Sequence, residues 1–127
     1  MGDAPFAINF NLVLQNFGGD EELLKSTVEL SLKLMPQHIE KIRRAISEKD
    51  AKSLEISAHT LKGSLGIYLY TPITGIAFEL EKMGRNNSFD SAAETLKNLE
   101  EQLVCFYKNL NSFYKNGEGT AKTSIIG

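Results

Sequence analysis

Ser57-Ala58-His59-Thr60-Leu61-Lys62-Gly63-Ser64-Leu65-Gly66 is the stretch on which the reading of this chain turns. Wound as a helix at about 100° per residue, it sets Leu54, Ala58, Leu61, Leu65 and Leu69 on one stripe and turns His59 well away from it. The stripe is expected to be buried and the histidine to face outward. Lys62 follows the ring at i+3, Gly63 at i+4 and Gly66 at i+7. A mid-helix glycine costs roughly 0.5–1 kcal/mol relative to alanine, so two of them beside a solvent-facing imidazole need a reason. Bare backbone lets another surface approach the ring, and an ammonium at i+3 suits an anion that forms on it.

Upstream of this stretch, Ile8, Leu12, Val13 and Phe17 stand at helical spacing over Ala7 to Phe17 and are closed off by Gly18-Gly19, which predicts a short leading helix that caps one end of a bundle. Asp20 reads as an N-cap with Glu21 and Glu22 in the first turn, where carboxylates suit the helix dipole. From there Leu24, Val28, Ser31, Met35, Ile39, Ile42 and Ile46 mark one long amphipathic helix to about Glu48. Pro36 is expected to kink it or split it in two. Asp50 caps the helix that carries His59, which is expected to run to about Leu69.

Downstream, Thr71-Pro72 reads as a cap followed by proline at the first helical position. It opens a helix whose inner stripe is Ile73, Ile76 or Ala77, Leu80, and Met83 or Gly84, ending near Arg85-Asn86-Asn87. Ser88 or Asp90 starts the last helix, with Ala92, Leu96, Leu99, Leu103, Phe106, Leu110 and Phe113 as a bundle seam. After Lys115 the glycine-containing segment 116–127 reads as a disordered tail or linker. The fold class is all-α: an antiparallel four-helix bundle, up-down-up-down, with a short extra N-terminal helix. Residues 1–19 form the N-terminal segment and 20–115 the bundle. Filled seams leave no sizeable pocket, so any chemistry is expected on an exposed helix face.

The 127 residues suit one domain that buries a core without disulfide or metal. A net charge of −2 with no dense basic run argues against nucleic acid. The absence of a signal-like N-terminus, of a long apolar run and of paired cysteines points to a soluble cytoplasmic protein with no membrane role. Cys105 reads as a packed thiol, and two distant histidines with one cysteine make no zinc set. Ser64 has no triad partners, and no glycine-rich nucleotide loop is present, so hydrolysis and kinase activity within this chain are disfavoured.

Ala58-His59-Thr60-Leu61-Lys62-Gly63-Ser64 resembles the phosphorylation-site motif of the histidine-containing phosphotransfer (HPt) family, the helical bundles that carry phosphoryl groups in two-component relays. Leu80-Glu81 is similar to the family's Leu-Glu pair at the same remove from the histidine. Asp20 to Leu24 and Lys49-Asp50 stand where the family's second helix and its turn begin, so the resemblance covers roughly residues 20 to 113. Where the family often has a second serine, an asparagine and a glycine-alanine pair, this chain has Leu65, Ile67 and Leu69-Tyr70. The resemblance implies that His59 is phosphorylated and that Lys62 offsets the phosphate charge. It also implies that a carboxylate at Glu81 accepts the Nδ1 proton, leaving Nε2 free as the nucleophile. Gly63, Gly66, Glu55 and Ser64 are the expected docking residues, with Phe10 or Leu14 on the leading helix as a second patch. Response-regulator receiver domains are the implied partners, with a hybrid sensor kinase as another. No cofactor is expected on this chain; Mg²⁺ and the exchanging aspartate belong to the receiver. Nothing in the filled seams requires more than a monomer.

Alternatives remain open at this level. A lone histidine on an amphipathic helix is ordinarily surface filler, and it is the Lys62-Gly63 context with Glu81 that changes the balance; His38, beside Pro36, has no such company. The chain also fits the phosphorylatable domain of a larger hybrid or chemotaxis-type histidine kinase, or a helical interaction module that is never phosphorylated.

Overall fold

The computed structural model describes residues 7–119, and side chains through residue 112. Five helices follow in order: α1 (Phe10–Asn16), α2 (Glu21–Ser47), α3 (Ala51–Gly66), α4 (Thr71–Arg85) and α5 (Ala92–Gly119), with no strand among the described residues. The short connections reverse the chain each time. α3 packs on α2 and α4, and α5 packs on the same two helices from the other side, so α3 and α5 sit across the bundle from one another. This is the all-α, four-helix architecture with one short helix in front.

Local chemistry starts α2 and α3 where the sequence indicates. Asp20 accepts from the Leu23 amide and Asp50 from the Ser53 amide, each meeting an amide that the first turn leaves without a partner. α1 is capped by Asn9, which accepts from the Leu12 amide, and is shorter than the Ala7 to Phe17 expected. Leu12 is exposed, whereas Ile8 and Val13 are buried. Asn109 of α5 accepts from the Ile8 amide at 2.9 Å and holds this segment against the bundle. Gly18 and Gly19, both at positive φ, make the turn into α2.

Other expectations need correction. Of the two outcomes expected at Pro36, a kink or a split, the split does not occur: α2 runs unbroken over 27 residues. Tyr70 occupies the N-cap of α4, placing Thr71 and Pro72 inside the first turn rather than at the cap and first position. α5 starts at Ala92, not at Ser88 or Asp90, because a turn closed by Ala92 N–H on Phe89 C=O comes first. It continues to Gly119, four residues past Lys115, while residues 120–127 of the expected tail lie outside the described residues, as does the side chain of Phe113.

The core is one cluster that includes Leu24, Val28, Met35 and Ile42 of α2, Leu54, Ala58, Leu61 and Leu65 of α3, Ile73, Ala77 and Leu80 of α4, and Leu99, Phe106 and Leu110 of α5. Two tyrosines join it. α3 ends at Gly66, Leu69 takes φ 56°, and Tyr68 and Tyr70 turn inward onto Phe106 at ring distances of 5.3 and 5.5 Å. The Tyr68 and Ser31 hydroxyls share a hydrogen bond of 2.6 Å. Leu69, expected on the buried stripe, is therefore exposed, since the helical period stops three residues before it.

Candidate functional site

His59 lies on α3 with its side chain 66% exposed, and its Nδ1 stands 3.1 Å from Oε2 of Glu81 on α4. Glu81 itself is buried, its side chain only 6% exposed. A buried carboxylate persists only when paired, and two hydrogen-bond donors and an ammonium meet this one. Lys62 Nζ lies 2.8 Å from Oε1 and Arg85 Nη2 lies 2.9 Å from Oε2, which also faces the imidazole. The Lys62 ammonium, with His59 behind it, holds the Glu81 carboxyl below the usual carboxylate range, against burial that pushes it up. An ionised carboxylate accepts only. The hydrogen bond from a neutral ring must therefore be donated by Nδ1–H, which leaves the Nε2 lone pair free.

The same seam is stitched by a second carboxylate. Glu55, one turn before His59, accepts from Arg85 Nε at 3.3 Å and lies 3.8 Å from Lys52 Nζ. Gly84 sets how closely α3 and α4 approach there. A Cβ on Gly84 would fall 2.7 Å from Ala51 C=O and 2.8 Å from Glu55 Cα, so only glycine fits against this backbone. Outside the seam, the Lys62 and Lys82 ammonium groups stand 4.7 and 4.8 Å from the exposed ring of Phe78.

On the other flank of His59 the surface is low and apolar. A Cβ on Gly63 or Gly66 would meet nothing within 4 Å. Gly63 and Ser64 line a groove between α2 and α3 with Leu30, His38 and Ile67, and Gly66 and Ile67 line an adjoining one with Leu23 and Leu69. Leu23, Leu30, Ile67 and Leu69 are all exposed, as is Ile56 beside the ring. Among the described residues no three of His, Cys, Asp and Glu gather to hold a metal ion, and no helix is long and apolar enough to cross a membrane.

The structure thus brings His59, Lys62 and Glu81 together. It places Gly63, Gly66 and Ser64 on the apolar flank and Glu55 in the charged seam. The proposed second patch does not form as expected: Phe10 and Leu14 are partly buried against the core, and the exposed apolar side chain of α1 is Leu12. Sequence reasoning gives Arg85 and Phe78 no part in the site and leaves Gly84 as an alternative to Met83 on the inner stripe of α4. Arg85 carried a signal, standing four residues after Glu81 at the spacing of a helical ion pair. His38, which the sequence left without a role, lines the groove beside Gly63.

Fold and site together define a class: a helical bundle that presents one imidazole, backed by a carboxylate, to whatever approaches its open face. A family model, the Hpt domain, matches residues 26–105, more than half of the chain, and the chain belongs to that family. Hpt domains carry phosphoryl groups on histidine in two-component signalling. No curated protein and no solved structure matches the chain significantly.

Proposed function

We propose that this protein exchanges a phosphoryl group between Nε2 of His59 and the aspartate of response-regulator receiver domains. The observation that carries the reading is an exposed ring whose Nδ1 is tied to a buried, ionised carboxylate. The Nε2 lone pair attacks the phosphorus of an aspartyl phosphate in line; the N–P bond forms as the O–P bond breaks, and the receiver's carboxylate leaves. The Nδ1 proton stays in place, and Glu81 offsets the positive charge that develops on the ring. Lys62, 2.8 Å from Glu81 and three residues after His59, offsets the charge of the incoming phosphoryl oxygens. Mg²⁺ and the aspartate are the receiver's. The chain acts as a carrier, alone or within a larger hybrid kinase, and exchange runs in either direction.

The docking surface in this reading is the apolar flank around Gly63 and Gly66 with the charged seam at its edge. Incubation with a phosphorylated receiver domain should yield acid-labile, base-stable phosphate on the wild-type chain and none on His59→Gln. Labelling of His59→Gln would remove the assignment, and a wild-type chain that binds receivers without taking phosphate would favour the passive interaction module.

A further inference from the structure

We infer that Arg85 is a positioning residue, a brace on the one oxygen of Glu81 that fixes the tautomer of His59. Oε2 is shared. It accepts from Nδ1 of His59 at 3.1 Å and from Arg85 Nη2 at 2.9 Å, while Lys62 stands 2.8 Å from the opposite oxygen. The terminal torsion of a glutamate is broad and nearly two-fold, so nothing intrinsic to the side chain holds Oε2 toward the ring. With Lys62 alone the carboxylate is free to rotate toward the ammonium. A cation on each oxygen removes that freedom.

The brace is itself held. Arg85 is half exposed and would otherwise sample many rotamers. Its guanidinium instead uses two nitrogens at once, Nη2 on Glu81 and Nε on Glu55 Oε2. Glu55 belongs to α3, one turn before His59, so the helix that carries the ring also anchors the arginine that orients the ring's acceptor. Gly84, beside Arg85, brings the two backbones close enough for this bridge. A lysine at position 85 has the charge but not the fork, and reaches one carboxylate at a time. The groups that face the imidazole or its acceptor are Glu81 and Arg85 from α4 and Lys62, Glu55 and Lys52 from α3, while His38 of α2 lies across the groove.

The purpose of the brace, a free Nε2, rests on the phosphotransfer reading, but its test does not. Imidazole ¹⁵N shifts of the full chain at alkaline pH report which nitrogen carries the proton, with His59→Gln separating the signals of the two histidines. Wild type should hold Nδ1–H throughout. In Arg85→Ala the Nδ1–H form should fall well below its wild-type share, because a neutral ring without a fixed acceptor at Nδ1 carries its proton mainly on Nε2. Glu55→Ala should lose less, and Arg85→Lys should restore only part. Phosphoryl acceptance from a receiver should fall in the same order, by about tenfold at most, with thermal midpoints little changed. Glu55→Ala keeps the test open should Arg85→Ala fold poorly. An unchanged tautomer in both alanine variants overturns the proposal even if acceptance slows, since Arg85 would then act on the phosphate or the partner. A tautomer shift in a chain that never takes phosphate would uphold the brace and sink the transfer reading instead.

Discussion

Glu81 is an ionised side chain kept almost entirely from water, and its surroundings make its contribution to stability depend on pH in a definite direction. Its carboxyl lies below the ordinary glutamate value of 4.5, chiefly because of Lys62 and then His59. A group whose folded value is depressed stabilises the fold above its unfolded value, and that contribution is lost as pH falls through the folded value. Glu81→Gln removes the charge and keeps the shape. The melting midpoint of wild type should exceed that of Glu81→Gln at neutral pH, and the gap should close as the pH drops below about 4.5, read by circular dichroism across a pH series. A gap that persists in acid would mean that packing, not charge, sets the difference. At this scale the sequence was informative where one helix carries the pattern. Lys62 and Gly63 stand at fixed offsets from His59, and Glu81 is found from its paired leucine. Arg85 and Phe78 act across the gap between α3 and α4, and helical spacing within one segment says nothing of which charge meets which across a seam.

Among helices, the glycines separate two uses of a missing side chain. Gly63 on α3 has open space where its Cβ would be; Gly84 on α4 has the α3 backbone there. Alanine should therefore act with opposite signs. Gly63→Ala should raise unfolding free energy by roughly 0.5–1 kcal/mol, the helix propensity gained with no clash, and should weaken receiver binding. Gly84→Ala should lower it by about 1–3 kcal/mol, because the atoms in the way are backbone and cannot rotate aside. Denaturant unfolding of the two variants checks both. The inner stripe of α4 left Met83 or Gly84 open, and it is this close approach that selects Gly84 for the buried position. Helix ends were less legible for a related reason. Tyr68 and Tyr70 enter the core from a turn, where spacing of two replaces spacing of three and four, so Leu69, inward by helical period, lies outward. Pro36 removes one backbone donor and sets its ring against the carbonyl four residues back, and the apolar stripe from Leu24 to Ala45 outweighs that cost in keeping α2 whole.

For the molecule as a whole, the four-helix pairing places α3 between α2 and α4 and leaves α5 on the far side, so the bundle has one face that bears His59 and another that does not. Apolar side chains on the His59 face are concentrated beside the bare glycines: Leu30, Ile67, Leu23 and Leu69 are each more than a third exposed. Exposed apolar area gathered next to a reactive group marks a binding surface rather than a folding error. Because these side chains are already in water, substituting them costs the fold little, which separates binding from stability. Ile67→Lys should weaken association with a receiver domain by about tenfold, as loss of a central apolar contact does, and should make the binding heat capacity less negative. Val104 is the matched control, an exposed apolar side chain on α5 across the bundle. Val104→Lys introduces the same charge and should leave affinity unchanged. Titration calorimetry at two temperatures reads both quantities. Equal losses in the two variants would show that net charge, not this face, governs association, and a loss confined to Val104→Lys would move the docking surface to the opposite side of the bundle.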